Sequence, residues 1–178
     1  MKKIGIIGAM EEEVNILKTK MENVVIKTIA SMEFCEGTLQ KKDVIVVRCG
    51  IGKVNAAVCT QILADLYQVN AVINTGVAGS LRNEIDIADI VLSTDAVQHD
   101  MDATHFGYTV GTIPRMDQSI FPADQELVDL AKEVCKEVLP EIGVHTGRVV
   151  SGDQFIADHG KLAIKNTVKL VMGLIERI

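Results

Sequence analysis

Three carboxylates in a row, Glu11, Glu12 and Glu13, stand directly after the apolar run Ile4–Met10. A carboxylate at the mouth of an apolar segment can serve as a general base. It can equally sit in the first turn of a helix, where the dipole favours negative charge. Residue type alone gives the second reading for all three. Two glycine-rich turns, Gly50-Ile51-Gly52-Lys53 and Gly76-Val77-Ala78-Gly79, close apolar runs further along. Open α/β sheets bind ligands where strands end in this way. Neither turn is a GxGxxG fingerprint, and the first is short of a full phosphate-binding loop. Tight turns needing positive φ account for the same spacing.

Two further segments carry reactive side chains. His99-Asp100-Met101-Asp102 groups possible metal ligands, but consecutive residues cannot all face one ion unless the loop curls round it, so a solvated loop is the expectation. Ser151-Gly152-Asp153-Gln154-Phe155-Ile156 follows a strand-like run, and taken blind Phe155 is a core residue at a strand's end. His99, His105, His145 and His159 lack nucleophile or metal spacing and are expected as surface or core histidines. Cys35, Cys49, Cys59 and Cys135 are too widely spaced for a zinc site. Reduced, mostly buried thiols are expected.

The elements that must position these groups alternate between strand and helix, the pattern of an α/β domain. Lys3–Ala9 reads as a buried central strand. Glu11–Met21 reads as a helix with Val14, Leu17 and Met21 on one face. Strands are expected over Val24–Ala30, Glu33–Leu39, Asp43–Cys49, Ala71–Thr75, Ala88–Ser93 and Gly143–Ser151. Helices are expected over Lys53–Tyr67 and Asp124–Leu139, the latter with a stripe of Leu127, Leu130, Ala131, Val134 and Val138. His99–Phe121 shows no period and reads as a long irregular loop. His159–Ile178 permits a helix, but 170–175 is apolar almost all round, an odd pattern for a surface helix.

A chain of 178 residues fits one domain over 1–178. Only 3% of residues are aromatic, with no Trp, so the core must be built from aliphatic side chains. A net charge of −6 with dispersed basic residues argues against a nucleic-acid partner. No apolar run approaches the ~20 residues needed to span a membrane. Ile4–Met10 is too short for a secretory signal core. A cytoplasmic location is the expectation.

The segments MKKIGIIGAMEEEV (1–14), RCGIGKVNAA (48–57), NTGVAG (74–79), HDMDATHFGY (99–108) and VSGDQFI (150–156) resemble the 5′-methylthioadenosine/S-adenosylhomocysteine nucleosidases. That family hydrolyses the bond between adenine and a thio-ribose. The resemblance implies a nucleoside phosphorylase-like fold, a mixed central sheet flanked by helices. It implies that Glu13 polarises the attacking water as an oxocarbenium-like transition state forms. It also implies substrate contacts at Ala9, Ile51, Val77, Ala78 and Gly79. Phe155 would stack on adenine, and Ile156 would bind the base through its backbone. Phe106 would cap the sugar-substituent pocket of a neighbouring subunit, which implies a homodimer; a plain dimer or core contact is the alternative for this residue. No metal or cofactor is implied. Val77 offers no hydroxyl and Glu13 would repel a phosphate dianion, so water rather than phosphate is the expected nucleophile, with Arg48 the cation that could argue otherwise.

The resemblance runs to about Ile156, and 157–178 is atypical. The family's Met-Glu pair for the ribose hydroxyls, and its Ser-Asp pair whose Asp protonates N7 of adenine, find no match in His159–Ile178. The expectation is therefore a fold incomplete at the C-terminus, with weak or absent activity. The alternatives are a nucleoside-binding or dimer-forming remnant, a purine nucleoside phosphorylase, or a futalosine hydrolase.

Overall fold

The computed structural model describes residues 3–154, 171–172 and 174–177. Strand β1 (Ile4–Gly8) is buried along its whole length. It lies between β4 (Lys42–Arg48) and β5 (Ala71–Asn74), parallel to both, in a five-stranded sheet of order β2-β3-β4-β1-β5. Strands β2 (Glu22–Ile29), β3 (Met32–Leu39) and β4 form an antiparallel meander at one side.

The strand period of two sorts the apolar side chains onto two faces. Ile4, Ile6, Val44 and Val46 pack with Val14 and Leu17 of helix α1 (Glu11–Thr19) and with Val171 and Ile175. Ile7, Ile45 and Val47 pack on the other side with Cys59 and Leu63 of helix α2 (Lys53–Asp65), and with Phe34 and Tyr67. Cover on both faces is why β1 and β4 are continuous apolar runs rather than alternating ones. Burying a side chain such as Leu17 or Val14 contributes roughly 1.5–3 kcal/mol.

A second sheet has order β7-β6-β8, with β6 (Ile90–Gln98) parallel to β8 (Val144–Ser151) and antiparallel to the short β7 (Ile120–Pro122). Helix α3 (Gln125–Val138) covers it, placing Val128, Ala131, Val134 and Cys135 against Ile90 and Leu92. Asp124 caps this helix by accepting the Leu127 N–H at 3.1 Å. Residues 171, 172 and 174–177 are helical. Their apolar sequence is explained by a place between two cores: Val171 and Ile175 join the first cluster, whereas Leu174 joins that of α3. Glu176 and Arg177 face solvent.

Several expectations shift. The buried stripe of α3 runs through Val128 and Cys135, and Val138 is exposed, a rotation of about one position from the expected stripe. No buried face is expected for α2; its covered positions are Ala56, Cys59 and Leu63, and Val54 and Val58 face outward. Strand β6 runs on to Gln98, because pairing with β8 carries it past the polar stretch Ser93-Thr94-Asp95 that masks the pattern. The segment 99–121 holds a 3₁₀ turn, Thr104–Phe106, and ends in β7. All four cysteines are buried free thiols, and burial raises their pKa values, that of Cys59 to about 12.

Candidate active site

The C-terminal ends of β1, β4 and β5 lie along one edge of the sheet, with Gly8 opposite Arg48 and Ile7 opposite Asn74. The turns that follow remain tied to β1. The Cys49 N–H donates to the Gly8 carbonyl, and the Thr75 N–H to the Ile7 carbonyl, both at 2.9 Å. Into this edge points Glu13, only 5% exposed, while Glu11 and Glu12 face solvent. All three carboxylates lie in the first turn of α1, but only Glu11 and Glu12 are solvated there.

Two backbone groups hold the Glu13 carboxylate. Met10 N–H donates to Oε2 at 2.9 Å and Val77 N–H donates to Oε1 at 3.1 Å. The first closes half of a capping box at the start of α1, where Met10 has no side-chain hydrogen bond to return. The second joins the helix to the turn after β5, 64 residues away. Each oxygen keeps acceptor capacity for a further donor such as a water.

Room for the carboxylate comes from glycine. A Cβ at Gly76 would lie 2.5 Å from Oε1, and one at Gly8 would lie 3.0 Å from the Glu13 Cβ. Gly76 does not have positive φ, so the explanation offered by turn geometry fails there. That explanation does hold for Gly50 and Gly52, at φ +90° and +99°.

The other candidate residues are placed unevenly. Ala9, directly after β1, and Val77, whose N–H binds Glu13, are half-buried, whereas Ala78 and Gly79 are exposed in a stretch without regular structure. Ile51 is 76% exposed between its two glycines, and Phe106 is 78% exposed at the end of the 3₁₀ turn. Phe155 and Ile156 lie outside the described residues, as does His159. His145 is paired with Asp89 at 2.9 Å, and His105 stands edge-on to Phe106. Arg48 lies 3.6 Å from Glu11, which also binds Lys18 at 3.0 Å.

The segment expected as a solvated loop is instead engaged. Asp102 accepts from the Thr104 N–H and hydroxyl. The Lys53 ammonium donates to Asp100 Oδ1 at 2.6 Å, while the Asp153 N–H donates to Asp100 Oδ2 at 2.8 Å. The Lys53 side-chain bond, helped by that N–H, lowers the pKa of Asp100 to about 2. Asp153 Oδ1 in turn accepts the Lys53 N–H at 2.8 Å. Sequence pattern could not reveal this cluster, because its members are 47 and 100 residues from Lys53. The signal available was the absence of a capping side chain at Gly52 and of any acidic residue in the first turn of α2. Among the described residues no group of three or more His, Cys, Asp or Glu side chains is arranged to hold a metal ion.

A buried carboxylate between two strand ends, flanked by glycine turns in a mixed α/β sheet, matches a known class of proteins. Residues 3–171 match the phosphorylase superfamily. The chain is 45% identical over 161 residues to the 5′-methylthioadenosine/S-adenosylhomocysteine nucleosidase of Exiguobacterium sp., covering 90% of this chain and 68% of that one. It superposes on the Neisseria meningitidis nucleosidase solved with methylthio-immucillin-A at TM-score 0.92 and 27% identity, over 100% of both chains. For the Colwellia psychrerythraea nucleosidase in complex with adenine the TM-score is 0.83, at 38% identity, over 97% of this chain and 69% of that one. The chain belongs to the 5′-methylthioadenosine/S-adenosylhomocysteine nucleosidase family, whose members hydrolyse the glycosidic bond, and it has that family's nucleoside phosphorylase-like fold.

Proposed function

We propose that this chain binds a 5′-thio-substituted adenosine at the C-terminal edge of β1 and β5, and hydrolyses its N-glycosidic bond to adenine and a thio-ribose. The observation that carries this reading is Glu13, a buried carboxylate fixed by the Met10 and Val77 N–H groups with acceptor capacity left over. In that role it orients a water toward the anomeric carbon and takes its proton, while the departing adenine is protonated from solvent, so slow turnover is expected. Fixing the base before substrate arrives removes part of the orientational cost. Ala9, Ile51, Val77, Ala78 and Gly79 supply the surrounding turns, and Phe155 and Ile156 the adenine contacts. The ligands in the related structures, adenine and methylthio-immucillin-A, support the choice of base and of 5′ substituent.

Water is preferred over phosphate as the nucleophile. Arg48, at the C-terminal end of β4, is already drawn to Glu11, and Glu13 would repel a dianion. The chain works as a homodimer in this reading, supported by the exposure of Ile51, Val54 and Phe106, all above 70%. Among the described residues no helix is long and apolar enough to cross a membrane.

Incubating the purified chain with methylthioadenosine, with and without inorganic phosphate, tests the proposal. Adenine release independent of phosphate is expected. Release only with phosphate would make the chain a phosphorylase, and binding without release would leave a nucleoside-binding protein.

A further inference from the structure

The C-terminal ends of β6 and β8 reach the site edge from the second sheet. Gln98 pairs with Ser151, and the ladder closes with the His99 N–H donating to the Ser151 carbonyl at 3.0 Å. Immediately beyond lie Asp100 and Asp153, and between them and the first sheet stands Lys53, the first residue of α2. Helix α2 has no side-chain cap of its own, since Gly52 occupies the cap position. The carboxylate that satisfies its first N–H and complements its dipole arrives from Asp153.

We infer that Lys53, Asp100 and Asp153 form one positioning unit, which fixes the turn after β8 against the glycine turn before α2 and thereby sets the affinity of the site for the purine base. Three segments meet at this unit, and each leads to a candidate substrate residue. Ile51 lies two residues before Lys53, Phe106 six residues after Asp100, and Phe155 two residues after Asp153. The bonds form a closed circuit. The Lys53 ammonium binds Asp100, Asp100 accepts the Asp153 N–H, and the Asp153 carboxylate accepts the Lys53 N–H. A second contact, Lys53 Nζ to Asp153 Oδ2 at 3.9 Å, braces the circuit, and Gln98 accepts from the same ammonium at 3.4 Å. The Lys53 and Asp100 side chains are 26% and 14% exposed, so solvent competes with this pair less than at an open surface. A circuit with both a charged pair and two backbone donors restrains direction as well as distance.

The inference rests on the nucleosidase reading for its ligand, and the test separates the two. The adenine dissociation constant and the melting temperature are measured for the full chain and for Lys53→Met, Lys53→Arg and Asp153→Asn. Lys53→Met and Asp153→Asn are expected to weaken adenine binding about 10- to 100-fold, the scale on which small misplacements act. The Lys53→Arg chain, which keeps the ion pair, should hold most of the affinity. Affinity unchanged in both Lys53→Met and Asp153→Asn would overturn the inference, as would a loss that merely parallels melting temperature across the set. Should the unaltered chain bind no adenine, the nucleosidase reading falls, and amide exchange decides on the circuit. The Lys53 and Asp153 amides should then exchange about 10-fold or more faster in Asp100→Asn. Unchanged exchange would overturn the circuit itself.

Discussion

Gly76 and Glu13 are in such close contact that only hydrogen fits between them: a Cβ at position 76 would lie 2.5 Å from Oε1 and 2.9 Å from Cδ of the carboxylate. The contact joins the turn after β5 to the first turn of α1, and the Val77 N–H bond to the same oxygen runs beside it. Gly76→Ala must therefore push the carboxylate off its two backbone donors. The expected loss is about 1–3 kcal/mol of stability, as for other overpacked sites. Chemical denaturation measures it, and a variant as stable as the parent would show that the turn can move aside.

Glu13→Gln keeps the size of the side chain but has only one acceptor oxygen for two N–H donors. Either Met10 or Val77 then faces an amide nitrogen in a buried place. A cost of about 1–3 kcal/mol is expected from the unsatisfied donor. A urea titration that finds the two proteins equally stable would mean that water reaches the site and replaces the lost partner.

Much of this arrangement was legible beforehand, for definite reasons. The β1 run, the Val14 and Leu17 face of α1 and the glycines before α2 are local signals, each set by a period or a backbone conformation within a few residues, whereas Met21 is buried beyond the end of the helix. The requirement for Gly76 was not legible, because it comes from a side chain 63 positions earlier in the chain rather than from its own φ. The Lys53 circuit was hidden for the same reason, and Asp100 looked like one more solvated carboxylate. The stripe of α3 was displaced because Cys135 and Val128, not Leu127 and Val138, meet Ile90 and Leu92 of β6.

Asp100 gives a pH dependence with a definite sign. Its pKa is lowered from about 3.8 to about 2, first by the Lys53 bond and then by the Asp153 N–H. A lowered carboxylate favours the folded state above its unfolded value, and that contribution is lost as pH falls from near 4 through 2. Carboxyl-carbon NMR should show an Asp100 midpoint close to 2, rising toward the ordinary value in Lys53→Met. An ordinary midpoint in the unaltered chain would mean that the ion pair is not held in solution.

Tyr67 stacks on Phe34 with ring centres 5.3 Å apart, and its buried hydroxyl has no hydrogen-bond partner among the described residues. Tyr67→Phe removes the unpaired group and keeps the ring. Stability should rise or stay level, by up to about 1–2 kcal/mol. A clear loss by thermal denaturation would reveal a partner for the hydroxyl, such as a buried water.

The thiols offer a check on the packing. All four are buried and all have raised pKa values, through desolvation first in each case. At pH 8 a disulfide reagent should label none of them until the chain is unfolded. Rapid labelling of Cys59, raised to about 12, would contradict the α2 packing directly.

The central claim is that Glu13 directs water at the glycosidic bond, and adenine release from methylthioadenosine tests it most directly, measured side by side for this chain and Glu13→Gln. The account predicts release by the unaltered chain that falls about 10²-fold or more in the variant, the scale of a lost general base. Equal release by the two proteins would contradict it.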